Sequence, residues 1–204
     1  RGQDVPKVGA VEPKQMGEKR VVVKREAELP AIYAGFKAPT IRHPDAHALN
    51  VLQGILASGK SSRMYKSLVY EKQIALYAGG DYDDVSVDPH LFYVYAGLMP
   101  GKTTEEVEKA IYAEIDRFKN EPVTDEELQK AKNQAEASFI MAQDSVFYQA
   151  MQLGQFETVG DWKLLGTYLN GIRAVTKDDV QRVAKQYFTE ENRTVGILVP
   201  VKKQ

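Results

Sequence analysis

Apolar positions recur along this chain with two different periods, and the switches between them mark out strands and helices. β-branched and aromatic runs at 20–24 (Arg-Val-Val-Val-Lys) and 31–36 (Ala-Ile-Tyr-Ala-Gly-Phe) predict two strands. Pro30 separates them, because it cannot donate to a ladder, and Pro39 ends the second. From Pro44 and Asp45 the spacing turns helical: Ala48, Leu49, Leu52, Ile55 and Leu56 share a stripe, and Gly59 is a stop. Ser61 or Ser62 can cap a next helix, in which Met64, Tyr65, Leu68 and Val69 share a face. Strands are predicted at 75–82 and 91–98, joined by a polar stretch containing Asp81, Asp83, Asp84, Asp88 and Pro89.

Pro100 and Gly101 then open a helical half. A helix from Thr104 carries Val107, Ala110, Ile111, Ile115 and Phe118 on one stripe. Thr124 and Glu127 form a capping box ahead of a long helix with Leu128, Ala131, Ala135 and Phe139 as its buried face. Helices follow at 146–156 and 162–172, then one starting near Thr176 and Asp179, and a last strand at 194–199. This order lacks long crossovers between sequential strands. It predicts an α+β fold: a largely antiparallel or mixed sheet with helices packed on one face. Residues 1–18, with Pro6, Pro13 and three glycines, read as a linker or extended lead-in, and 19–204 as a single domain.

Composition narrows the chemistry. With Lys+Arg 27 against Asp+Glu 28, the net charge of −1 gives no electrostatic case for nucleic acid. The absence of cysteine removes thiol nucleophiles and thiolate metal sites. No apolar run is long enough to cross a membrane as a helix. The chain begins at Arg1, which reads as part of a longer product.

Gly54-Ile-Leu-Ala-Ser-Gly59-Lys60-Ser61 fits a phosphate-loop pattern. Such a loop must follow a strand, whereas 45–56 repeats with helical spacing, so a turn between helices is the expectation and nucleotide binding through Lys60 a lesser alternative. His43 and His47 have a helical ligand spacing, but Pro44 puts His43 at or before the helix start and no zincin motif surrounds them. A solvated helix N-terminus is expected for the pair, and a strand edge for His90. No G-x-S-x-G elbow is present. Asp81, Asp83 and Asp84 lack the glycine and distal glutamate of a calcium loop and read as a solvated turn. The eleven tyrosines, several in predicted strands, are expected to be half-buried sheet residues.

Four strings, in this order, carry a resemblance: Glu26-Ala-Glu-Leu-Pro-Ala31, Ala57-Ser-Gly-Lys-Ser-Ser-Arg-Met-Tyr65, Leu68-Val-Tyr-Glu-Lys-Gln-Ile-Ala75 and Thr124-Asp-Glu-Glu-Leu-Gln-Lys-Ala131. Over residues 19–200 the chain resembles the C-terminal, zinc-free domain of the bacterial insulinase/pitrilysin (inverzincin) zinc metallopeptidases. The resemblance implies a non-catalytic domain that closes a substrate chamber and helps to bind peptide. Zinc is then held by H-x-x-E-H in a partner N-terminal domain of the same polypeptide, with a second homologous subunit in two-subunit members. No catalytic residue, metal ligand or cofactor is expected in this chain, which lacks H-x-x-E-H and alone should not cleave peptides. Many relatives lend an Arg and, seven residues later, a Tyr to the scissile peptide; here Tyr77 falls on the Tyr position and Tyr70 on that of the Arg. A phenol cannot replace a guanidinium's charge, so both are substrate-binding candidates only. Loss of the Arg suits the C-terminal half of a zinc-carrying subunit. A structural or assembly subunit without peptidase role is the alternative, and periplasm, ahead of cytoplasm, is the compartment the resemblance implies.

Overall fold

The computed structural model describes residues 12–201; the greater part of the predicted lead-in, 1–11, lies outside the described residues. Five strands form one sheet: β1 (Lys19–Glu26), β2 (Ala31–Ala38), β3 (Ala75–Tyr82), β4 (His90–Leu98) and β5 (Arg193–Val201), in the order β1-β5-β2-β4-β3. All pairings are antiparallel except β1 with β5, so the sheet is mixed. The helices are α1 (Ala46–Leu56), α2 (Thr104–Asn120), α3 (Asp125–Ala142), α4 (Val146–Val159), α5 (Leu164–Ala174) and α6 (Lys177–Tyr187). The α+β architecture expected from the order of elements is the one observed.

Strand alternation decides which residues meet the helices. Ile32, Ala34 and Phe36 of β2 and Phe92, Val94, Ala96 and Leu98 of β4 point to one face, where they pack against Leu49, Leu52 and Leu56 of α1, Ile111 and Phe118 of α2, and Val180 and Val183 of α6. Phe188 is wedged between Phe36 and Phe92, with ring centroids 4.8 and 4.9 Å away. Helices α3 and α5 form a further layer on α1, and α4 packs on α5. The boxes at Thr124/Glu127 and Thr176/Asp179 close the N-termini of α3 and α6.

Two expectations need correction. On α3 only Ala131 is fully buried, while Leu128, Ala135 and Phe139 are partly covered, because this helix sits in the outer layer. The helix after Ser62 is largely π-helical, spanning Tyr65–Glu71. Ser62 caps it, its Oγ accepting from the Tyr65 amide at 3.4 Å, but Lys72 N–H donates to Ser67 C=O five residues back, at 2.9 Å. Met64 and Leu68 are buried as the shared face predicts.

Candidate functional site

The segment Ser61–Tyr77 is held at its start by Arg63. Its Nε and Nη2 each donate to Glu127 at 2.7 Å, and its guanidinium lies 4.4 Å from the Phe118 ring centroid. The Arg63 donors, with the α3 cap, hold the Glu127 carboxyl down at about 2. The chain then turns through Gln73, at φ 50°, and enters β3 through an irregularity between Ala75 and Tyr77. That irregularity sets the register that aims Tyr77 away from the helices.

Tyr77 joins three other tyrosines on the helix-free face. Tyr33 stacks on Tyr95 at 5.5 Å, and Tyr77 and Tyr93 lie 6.1 and 6.3 Å from the same ring. Tyr33 and Tyr77 are each 48% exposed. The Tyr77 ring lies over Gly97, where an added Cβ would come within 2.3 Å of it, so glycine is what lets the ring lie on the sheet. Among the described residues no hydrogen bond engages any of the four phenol groups. The surface therefore offers flat aromatic area ringed with free donors and acceptors.

The other candidates separate. Tyr70 sits on the π-helical segment, 78% exposed, and makes no ring contact with Tyr77. Gly54 lies inside α1 and Gly59 in the turn after it, so the strand-loop-helix geometry of a phosphate loop is missing and the turn between helices is what is found. His90 opens β4, exposed, opposite Ala38. His43 stands before α1 and accepts the Asp45 amide on Nδ1 at 3.2 Å. The solvated reading fails for His47, which is wedged beneath α5. Its Nδ1 is buried without a partner, its ring meets Tyr168 edge-on at 5.6 Å, and burial lowers its pKa. The two imidazoles thus offer no shared coordination site, and among the described residues no group of three or more His, Cys, Asp or Glu side chains could hold a metal ion.

The solvated-turn reading also fails for Asp84, which is only 6% exposed although Asp81 and Asp83 are exposed. Burial pushes its carboxyl up to about 6; a 2.7 Å bond from Asn50 Nδ2 opposes this, and Asp83 and Asp81 add to it.

Comparison with known proteins gives a consistent result. A family model described as the peptidase M16 inactive domain matches residues 2–135. The zinc protease PqqE of Helicobacter pylori is 30% identical over 190 residues, 93% of this chain and 43% of that relative. The solved structure of a protease from Helicobacter pylori superposes with a TM-score of 0.92 at 29% identity, covering 98% of this chain and 48% of that one. The inactive peptidase domain of a Bordetella parapertussis protein gives 0.80 at 26% identity, covering 88% of this chain and 97% of that one. The chain thus spans less than half the length of the Helicobacter proteins it matches.

Proposed function

Because the chain belongs to the peptidase M16 family, as a domain of its inactive type, we propose that it is the substrate-holding half of a zinc-dependent peptidase, closing a chamber whose metal and general base are carried by a partner domain. The observation that supports this most directly is the tyrosine-lined, helix-free sheet face built from Tyr33, Tyr77, Tyr93 and Tyr95. Tyr77 is the residue that contacts peptide. Tyr70 brings a phenol where a charged group would act, so the domain's contribution is binding and positioning and not charge stabilisation.

A photoreactive unstructured peptide added to the chain is expected to cross-link to β2, β3 and β4 around Tyr33, Tyr77 and Tyr95, and Tyr77→Ala to cut that yield severalfold. Labelling confined to the helices would overturn the assigned surface. Incubated with zinc and the same peptide, the chain alone is expected to release no fragments; chelator-sensitive hydrolysis would overturn the division of labour.

A further inference from the structure

On the opposite side of the molecule, Asp84 lies at a cavity of about 360 Å³ between α1, α3, α4 and α5. Its lining includes Asn50, Ser138, Phe139, Phe156 and Tyr168, and Asp84 is the one lining side chain that carries a full charge near neutral pH. The Phe139 and Tyr168 rings stack at 5.4 Å to form an aromatic wall. Among the described residues no cation pairs with the Asp84 carboxylate; Oδ2 accepts from Asn50 Nδ2, and no side-chain donor reaches Oδ1. A buried carboxylate whose donors are both neutral, the Asn50 amide and its own backbone N–H, is under-compensated when ionised, and the aromatic walls suit a cation with an apolar body.

We propose that this cavity binds a primary ammonium group on an apolar stem, with the nitrogen at Asp84 and the stem along the Phe139, Phe156 and Tyr168 rings. Alternatives fit less well. An anion would meet the Asp84 charge unaided. A divalent cation wants several oxygen ligands, and the lining supplies one carboxylate. A guanidinium binds best with both carboxylate oxygens, of which Asn50 already occupies one. The ammonium can come from a lysine side chain or from a free peptide N-terminus. The site is separate from the tyrosine face and stands whether or not that face binds peptide.

Three probes test it by chemical-shift titration of the isotopically labelled chain, read at the Asn50 side-chain amide and the Ser138 backbone amide. Nα-acetyl-lysine N-methylamide carries a side-chain amine, leucine N-methylamide a free α-amine, and Nα-acetyl-norleucine N-methylamide no charge. At least one amine is expected to bind about tenfold or more tightly than the norleucine compound; which amine wins identifies the source. Asp84→Asn is expected to abolish that preference. Ser138→Phe, on the exposed rim, is expected to weaken every probe while leaving the fold's spectrum intact. Binding is also expected to fall on acidification from pH 7.5 to 5. The ionisable groups near Asp84 are Asp81 and Asp83 on its own segment, the Tyr82 phenol of β3 and the Tyr168 phenol of α5, whereas α1, α3 and α4 line the cavity with neutral side chains. Equal binding of all three probes, no binding, or full retention of amine preference in Asp84→Asn would each overturn the assignment.

Discussion

Replacing Asp84 by Asn is expected to make this protein more stable at neutral pH, and the size of the gain can be worked out. Burial holds the carboxyl at about 6 in the folded chain, against an ordinary 3.8. The folded state therefore binds the proton more tightly than the unfolded one. The carboxyl's favourable contribution is fully present below 3.8 and is lost as pH rises through about 6. Keeping it ionised above that range costs about 3 kcal/mol, at 1.36 kcal/mol per tenfold. Asparagine presents a carbonyl oxygen to Asn50 in the same place, but a neutral acceptor is weaker than a carboxylate by about 1 kcal/mol. The net gain expected at pH 7.5 is about 1–2 kcal/mol. Near pH 4, where the native aspartic acid is protonated, it should vanish. Urea unfolding of both proteins at pH 7.5 and pH 4 measures the difference directly. A variant equally stable or less stable at pH 7.5 would show that the ionised carboxylate is compensated by something other than Asn50, and the reasoning would fail. A stabilising substitution at a buried acid is the pattern expected where a residue is kept for binding rather than for folding.

Two further substitutions test other contacts. Glu127→Gln breaks the two-point pairing with Arg63; Glu127 is held at about 2 against 4.5, so its contribution is present above 4.5 and fades as pH falls towards 2. The variant should lose about 1–2 kcal/mol at pH 7, allowing for the solvent edge of the pair, and show a flatter acid limb in unfolding titrations. Gly171→Ala places a Cβ 2.2 Å from His47 Cδ2 and should cost about 1–3 kcal/mol by thermal melting; adding His47→Ala should recover part of it, and strict additivity would refute the contact.

The strands, the helical stripes, the cap at Ser62 and the capping box at Thr124/Glu127 are legible because each is written in local spacing, whereas Thr176 and Asp179 mark only a helix start in the sequence and form a second box in the structure. The π-helical turn is not legible, since Met64, Tyr65, Leu68 and Val69 share a face whether the bonds run to the fourth or the fifth residue. Nor is the pairing of β1 with β5, which depends on where two distant strands meet. Tyr77 was reached through family resemblance, but Tyr33, Tyr93 and Tyr95 were passed over as packing; their shared parity on the predicted strands was the signal that put them on one face. Asp84 was misread as part of an acidic turn. Extending the β3 alternation would have placed it with the inward Tyr82, apart from Asp81 and Asp83. His47 was misread likewise: it lies four residues before the buried Val51, hence on the covered face of α1.

The parallel pairing of β1 with β5 has a consequence for how the chain is made. During synthesis β2 emerges before any of the helices, yet its β5 neighbour emerges only after all six α-helices. Until then β1 has no strand to pair with, and one edge of β2 stays open beside it. A nascent chain thus carries two unpaired edges until β5 emerges, the condition under which strands pair with the wrong partner. The Lys-Arg pairs that flank Val21, Val22 and Val23 are placed to protect the first of those edges. Closing the sheet joins segments more than 160 residues apart, so the pairing that brings in β1 carries one of the longest loop closures in the fold.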